Sequence, residues 1–309
     1  TWLEKIKTEL KGKPLAEFDY LWDGITISPF EIPNISPSLV SDRKGNAWKI
    51  GSYVSASGSH ANRDLLIALN EGAEALFIDI EQKPNWATLL DKVHLDWVNL
   101  NLRFVRFEDL SSFVQYLMDT GQKFQGSIQL RGVSRVKLLH KLKIQEGWRL
   151  LNYELKDLDS RYPLAEIFHQ LTQDIGSLSS KVDPHSLLSQ VVIHFTGQND
   201  LILNISMIRA IRLLWKQLMV SAGIENAYPE IYIIAHIPDH PNHDPFIRSS
   251  LIAATLILGG INELFIENSK DKLKGRYGRM IQHIYTQEAN LDKVVDPLSG
   301  SRVIGYLTR

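Results

Sequence analysis

Nine polar residues sit at or near the ends of strand-length apolar runs: Tyr53, Asp79, Arg103, Gln129, Glu154, His194, Thr196, His236 and Glu267. Carboxylates and histidines can take or give a proton, and a guanidinium or amide can hold an anion or a carbonyl oxygen. The set therefore suits acid–base work on a polar ligand. No Ser-His-Asp or Cys-His spacing accompanies it, and the chain has no cysteine, which removes thiolate chemistry and Cys-type zinc sites together. The same residues also suit a packed layer in which each polar group satisfies its neighbours, since charges buried on strands need partners. Both readings stay open from the residues alone.

The sharpest local cluster is His236, His240 and His243, with Asp239 and Asp244 between them. Its spacing allows a metal site at a strand end. Ligands so spaced converge best from a helix, however, and Pro238 and Pro241 forbid one here. Asp244 is also placed to cap a helix opening at Pro245. Asp183-Pro184-His185 begins like the D-x-H-x-x-G series of cobalamin-binding domains but ends in Leu188 where glycine is needed. No glycine loop of the phosphate-cradling kind occurs. Five basic residues between Lys270 and Arg279 suit a solvated helix start, or a face for an anionic tail or acidic partner.

These residues are carried by apolar runs of strand length that alternate regularly with segments of 3.6-residue periodicity. The expected pairs are Lys49–Ser55 with helix Asn62–Asn70, Ala75–Ile80 with Trp86–Val93, and Trp97–Phe104 with Leu110–Asp119. Ser127–Leu130 with Val136–Ile144 and Arg149–Glu154 with Leu164–Ile175 follow. Val191–Thr196 with Leu201–Val220, Ile231–His236 with Phe246–Leu258, and Leu264–Glu267 with Tyr277–Glu288 complete eight units. Eight strand–helix units predict an α/β fold of the (β/α)8 TIM barrel type over residues 46–309. No Gly-x-Gly-x-x-Gly follows the first strand, which weighs against a dinucleotide fold. Residues 1–45 hold four prolines from Pro14 to Pro37 and one short amphipathic helix, Trp2 to Lys11. They form an N-terminal extension expected to wrap the barrel or a partner.

Composition narrows the function classes. The 309 residues are 44% hydrophobic and 22% charged, ordinary for a globular protein with a sizeable core. A formal charge of −1 offers no electrostatic case for nucleic acid. The longest apolar run, around Leu251 to Gly260, is too short for a bilayer. The amino terminus lacks a signal pattern, so a cytoplasmic protein is expected.

Several motifs occur in a fixed order: Lys11-Gly12-Lys13, Asp23-Gly24-Ile25 with Pro29-Phe30, Asn70-Glu71-Gly72-Ala73, and Arg209-Ala210-Ile211-Arg212-Leu213-Leu214-Trp215. Asp244-Pro245-Phe246, Gly259-Gly260 and the series from Glu288 to Asp296-Pro297-Leu298-Ser299-Gly300-Ser301 follow. In that order they resemble the methylmalonyl-CoA mutase family, and the amino-terminal ones are similar to its small subunits. The resemblance spans nearly the whole chain and is densest after Val191.

The resemblance implies a subunit of an adenosylcobalamin-dependent isomerase that interconverts methylmalonyl-CoA and succinyl-CoA. The departures bear on activity. The family's Arg-Gln before the strand tyrosine is Gly51-Ser52 here, with Tyr53 kept. No Tyr-His pair stands near Leu151-Asn152-Tyr153-Glu154-Leu155, and Ile237-Pro238-Asp239 follows His236 where the family has Gln-Thr-Ser. A histidine donating to the thioester carbonyl would stabilise charge in the rearrangement, so its loss is costly. The resemblance thus implies a non-catalytic small subunit, with Tyr53 and His236 vestigial. Its partner would be a large catalytic subunit in a heterodimer, with acyl-CoA held only in the complex. The cobalamin-binding domain is absent from this chain, which alone would bind no cofactor. An active mutase chain working with a separate cobalamin domain, and a metal-dependent enzyme built on the His236 cluster, are the alternatives.

Overall fold

A computed structural model describes every residue except 1, 23–24, 29–42, 44, 143–145, 156–162, 181, 225–228, 240–244, 268–271 and 309. The extension carries helix α1 (Trp2–Glu9), a single 3-10 turn (Leu15–Phe18) and an antiparallel hairpin of β1 (Tyr20–Trp22) and β2 (Ile25–Ile27). Sequence reading expected the helix to run to Lys11. It stops earlier because Lys11 and Gly12 both take positive φ, 51° and 88°. The hairpin went unforeseen, its strands being too short to show alternation.

The sheet strands are β3 (Lys49–Ser55), β4 (Ala75–Ile80), β5 (Asn99–Phe104), β6 (Gly126–Leu130), β7 (Trp148–Arg149), β8 (Leu151–Leu155), β9 (Val191–Thr196), β10 (Tyr232–Ile237) and β11 (Glu263–Ile266). All are parallel and run in the order β7-β6-β5-β4-β3-β11-β10-β9-β8. The first and last of that order, β7 and β8, are one strand broken at Leu150. Its first half pairs with β6 (Ser127↔Arg149) and its second with β9 (Leu151↔Val191). The nine strands therefore make a nearly closed barrel of the expected class. Helices lie between the strands: α2 (Ala61–Asn70), α3 (Trp86–Leu89), α4 (Phe107–Thr120), α5 (Arg135–Leu142), α6 (Pro163–Leu178), α7 (Pro184–Leu188), α8 (Leu201–Ser221), α9 (Pro245–Gly259) and α10 (Lys272–Gln287). A last helix, α11 (Arg302–Leu307), closes the described chain.

Three expectations are corrected. The helix read over Trp86–Val93 is one turn, Trp86–Leu89: the chain leaves helical geometry at Leu90 (φ −101°, ψ 14°), and Lys92 follows with a positive φ of 61°. Trp97 lies before its strand and is 76% exposed. The last strand begins at Glu263, a buried carboxylate that hydropathy alone would not place on a strand. The Asp244 cap lies outside the described residues, whereas the glycine pair does end α9, with Gly260 at φ 93°.

Strand period decides which residues face the barrel axis. Leu76, Ile78, Leu102, Phe104, Ile193 and Leu264 point outward into the large core beneath the helices. Ala75, Phe77, Val192, Ile234 and Phe265 point inward and form a second, smaller cluster. Gly51 belongs to this interior, where a Cβ would stand 2.7 Å from the Phe265 ring. Gly126 (φ 141°) is set by a neighbouring strand, since its Cβ would collide with the Leu100 backbone.

The motifs of the sequence meet at the outside. Arg209 on α8 is ion-paired with Asp296 of the Asp-Pro series, both side chains almost wholly buried at 6% and 5% exposed. Arg212, one turn on, donates through Nε to the Gly260 carbonyl at 2.9 Å and pairs with Glu230 at 2.5 Å. Ser301 caps α11 by accepting from the Ile304 N–H at 3.3 Å. Gly72 leaves room for the His283 ring, whose atoms would lie 2.6 Å from a Cβ there.

Candidate functional site

The inward residues stack in three levels. At the amino-terminal end of the barrel, Glu263 accepts from the Nδ2 atoms of Asn99 and Asn101, each at 2.6 Å, and from the Tyr232 hydroxyl at 2.7 Å. Lys49 Nζ donates to Asn99 Oδ1 at 2.8 Å, and the Arg149 guanidinium lies 3.6 Å from the Tyr232 ring centroid. A buried carboxylate with three donors and a nearby cation is a satisfied structural group.

The middle level carries a hydrogen-bonded chain across the axis. Tyr53 Oη lies 2.5 Å from His236 Nδ1, His236 Nε2 lies 2.9 Å from His194 Nδ1, and His194 Nε2 lies 2.9 Å from Asn152 Oδ1. Its direction follows from one end. Asn152 Nδ2 donates to the Ile128 carbonyl at 2.9 Å, so Oδ1 is the acceptor facing His194. His194 therefore carries its proton on Nε2 and accepts at Nδ1. His236 must donate from Nε2 and accept the Tyr53 hydroxyl proton at Nδ1. Gln129, whose amide stands 2.7 Å from His194 Nε2, meets this donor best with its oxygen.

Aromatic rings fill the space around this chain. His194 and His236 stack with centroids 5.2 Å apart, and Phe265 stacks on His236 at 5.7 Å. Phe77 presents its edge geometry to His236 at 5.3 Å and to Phe265 at 5.6 Å. Tyr53 touches Phe77 and Phe265 at 5.3 and 5.5 Å. The five rings pack against one another on the axis.

The carboxyl-end mouth lies above. Arg103 grips Asp79 through two bonds, 2.5 and 2.7 Å, and sits over Phe77 at 5.2 Å. Burial pulls the Arg103 pKa down, but Asp79, helped by Glu154 and Tyr53, outweighs it and the net direction is up. Tyr53 is pushed well up by desolvation, then by the Glu267 charge. A cleft of about 860 Å³ opens here, lined by Tyr53, Asp79, Lys83, Glu267 and Arg279 among others. It runs over β3 towards α2 and α10, and Gly51, Tyr53 and Phe77 lie at its inner side.

The structure thus brings Tyr53, Gln129, His194 and His236 into one chain and Asp79 with Arg103 into one pair. Glu154 and Glu267 are exposed at the rim, and Thr196 stands on β9 beside them, its carbonyl accepting from Gln198. Sequence reading missed Asn152, Phe77 and Phe265. Each lies two residues before a chosen rim residue, so the period-2 rule applied inward from Glu154, Asp79 and Glu267 would have found them. Both ring nitrogens of His236 are engaged within the protein, and no group of three His, Asp or Glu among the described residues is arranged to hold a metal. His240 and His243 lie outside the described residues. Asp183 is used as a helix cap, accepting from the Ser186 N–H at 2.9 Å, and Leu188, the last residue of α7, is buried.

Tyr53→Phe leaves His236 Nδ1 without its donor and is expected to cost about 1–3 kcal/mol, read as a lower denaturant midpoint at unchanged slope. The pH test has a definite sign. Tyr53 and Tyr232 keep their protons in the folded state above the pKa of the unfolded chain. Their contribution is therefore complete below pH ~10 and falls as pH rises beyond it, by about 1.4 kcal/mol per pH unit for each group. Alkaline unfolding curves should become shallower in Tyr53→Phe and in Tyr232→Phe.

No family model matches the chain. It is 24% identical over 369 aligned positions to the methylmalonyl-CoA mutase small subunit of Porphyromonas gingivalis (strain ATCC BAA-308 / W83), an alignment covering 99% of this chain and 60% of that protein. The chain thus spans about 60% of the length of that curated relative. Among solved structures it is similar to the dihydropteroate synthase of Burkholderia cenocepacia, with TM-score 0.47, 10% identity, and 79% of this chain and 93% of that one covered. The Coxiella burnetii dihydropteroate synthase gives TM-score 0.44, 12% identity, and coverage of 79% and 94%. No helix among the described residues is long and apolar enough to cross a membrane.

Proposed function

We propose that this chain is the barrel of a non-catalytic small subunit of a mutase acting on methylmalonyl-CoA, and that it binds and stabilises a large catalytic subunit. One observation carries the reading. An acyl-CoA tail held inside this barrel would have to pass along the axis, and there Tyr53, Phe77, His194, His236 and Phe265 pack against one another. Their polar atoms are spent on one another, so no donor is left aimed at a thioester carbonyl. The distant curated relative, named a small subunit, agrees with this, and its name implies a larger partner.

The residues present do not fit adenosylcobalamin. The Asp183-Pro184-His185 series opens a short helix whose last residue is the buried Leu188, where the cofactor-binding series needs glycine. In the proposed complex the cofactor and the acyl-CoA belong to the large subunit. The cleft at the barrel mouth favours a second reading, in which the chain acts on an acyl-CoA from that end together with a separate cobalamin domain.

Size-exclusion of the chain with the large mutase subunit of the same organism, followed by assay with adenosylcobalamin and methylmalonyl-CoA, separates the two. The expected result is a heterodimer, no turnover by this chain alone, and a higher melting temperature for the large subunit in the complex. Turnover by this chain with a cobalamin domain but no large subunit would establish the second reading instead.

A further inference from the structure

Every hydrogen bond of the chain on the barrel axis points one way. The Tyr53 hydroxyl donates to His236 Nδ1 at 2.5 Å, His236 Nε2–H to His194 Nδ1 at 2.9 Å, and His194 Nε2–H to Asn152 Oδ1 at 2.9 Å. Both imidazoles are neutral in this arrangement, and each has one lone pair, on Nδ1, that is already accepting. The Asn152 end is fixed, because its Nδ2 is committed to the Ile128 carbonyl. The Tyr53 end is not fixed, since a hydroxyl turns about its C–O bond and accepts as well as donates.

That asymmetry decides where an added proton goes. Placed on His236, it sits on Nδ1 and points at Tyr53 Oη. Placed on His194 Nδ1, it faces His236 Nε2, whose own proton must then be carried on His236 Nδ1 instead. The two forms contain the same protons and differ only in which end of the 2.9 Å bond between the rings holds one of them. In both, His236 Nδ1 is a donor, Tyr53 Oη accepts, and the Tyr53 proton leaves the chain. Phe77 and Phe265 flank Tyr53 on the axis and offer no acceptor, so that proton turns to the mouth, where Tyr53 lines the cleft. A second added proton would stack two imidazolium rings with centroids 5.2 Å apart and oppose two donors, so the pair takes one.

Charges of both signs surround the pair. His194 is buried and His236 half-buried, which opposes ionisation. On the mouth side stand Asp79 on β4 with Arg103 on β5 and Arg131 after β6, Glu154 on β8, Glu267 after β11, and Asp239 after β10 beside Arg248. Of these groups four are carboxylates and three guanidiniums, so the side to which the Tyr53 proton turns is negative. On the amino-terminal side Glu263 on β11 is accompanied by Lys49 on β3 and Arg149 on β7. Tyr53 and Tyr232 keep their protons throughout, because burial holds both above the ordinary tyrosine range.

We propose that the His194–His236 pair is a one-proton switch: uptake of a single proton, held in the bond between the rings, reverses the hydrogen bond to Tyr53 and turns its hydroxyl proton towards the mouth. The acidity of the surroundings thereby sets what Tyr53 offers to the cleft, an oxygen alone or a donor. The switch is independent of the small-subunit reading and survives its failure.

The test is a nuclear magnetic resonance titration of the full chain, reading the ring nitrogens of His194 and His236 after assignment through the backbone. Near pH ~8 both rings are expected as Nε2–H tautomers. As pH falls towards ~5 the two are expected to shift together at one midpoint, with one proton bound by the pair and His236 Nδ1 newly protonated. Tyr53→Phe removes the oxygen that must accept from a charged pair, and is expected to lower that midpoint by about one pH unit. Nδ1–H tautomers at high pH, two protons bound by the folded pair, or no proton bound before acid unfolding would each overturn the switch. So would a midpoint that Tyr53→Phe leaves in place. The tautomers and the proton count of the parent chain decide the matter even if that variant does not fold.

Discussion

Phe265→Ala is expected to lower stability by about 3–5 kcal/mol, the cost of emptying a packed aromatic site in a core that cannot collapse onto it. Phe265 is fully buried, stacks on His236, and touches Tyr53 and Phe77. A Cβ on Gly51 would collide with the Leu264 carbonyl and stand 2.7 Å from the Phe265 ring, so glycine is needed where β3 passes β11. The Gly51-Ser52 pair that departs from the family's Arg-Gln thereby has a physical account. Gly51 clears the axis for Phe265, and Ser52 faces outward to accept from Arg279 at 2.8 Å. Urea unfolding reads the loss directly, with Phe265→Leu as a milder control expected to cost less than half as much. An Ala variant as stable as the parent would mean that the rings do not form a plug, and the non-catalytic reading would lose its main support. Opening the axis is also expected to produce no turnover, because the His194–His236 chain still ends on Asn152 and Tyr53.

Arg209→Ala is expected to cost a similar 3–5 kcal/mol, for a different reason. It removes one partner of an ion pair almost wholly out of water and leaves the Asp296 carboxylate buried without its cation. Not every atom of the pair is bonded: Arg209 Nε and Asp296 Oδ2 have no partner within the described structure. An incompletely satisfied buried pair adds little over apolar side chains of similar volume. Arg209→Met/Asp296→Leu should therefore recover most of the loss, and a double-mutant cycle by thermal melting measures the coupling. If the double variant is no better than Arg209→Ala, the pair contributes stability outright and this account of it is wrong.

That pair changes how the sequence motifs are understood. The R-A-x-R helix, the glycine pair and the Asp-Pro series are far apart in sequence, and each has a local meaning as stripe, helix stop or turn. In space they are one joint: Arg209 holds Asp296, and Arg212 holds the Gly260 carbonyl. The residues that carry the resemblance to the mutase family at the carboxyl end thus maintain the barrel's outer wall.

Strand positions were largely legible. Lys49–Ser55, Ala75–Ile80 and Val191–Thr196 lie where apolar runs of strand length placed them, because barrel strands are buried on both faces. The fifth unit was legible as a strand but not as the closure, since the break at Leu150 lets it pair with β6 on one side of the break and β9 on the other. Asp79 and Arg103 at the mouth and Gln129, His194 and His236 in the middle level were legible as candidates. Their partners were not, because Asn152, Phe77 and Phe265 are ordinary residues until the barrel closes and brings them to one axis.

Sequence by itself determined the order of strands and helices, and with it the barrel class, because period and chain punctuation are local properties that survive without neighbours. Only the tertiary structure decided whether the barrel is open or filled. That outcome depends on how side chains from β3, β4, β8, β9, β10 and β11 share one closed volume, and a shared volume belongs to no single segment.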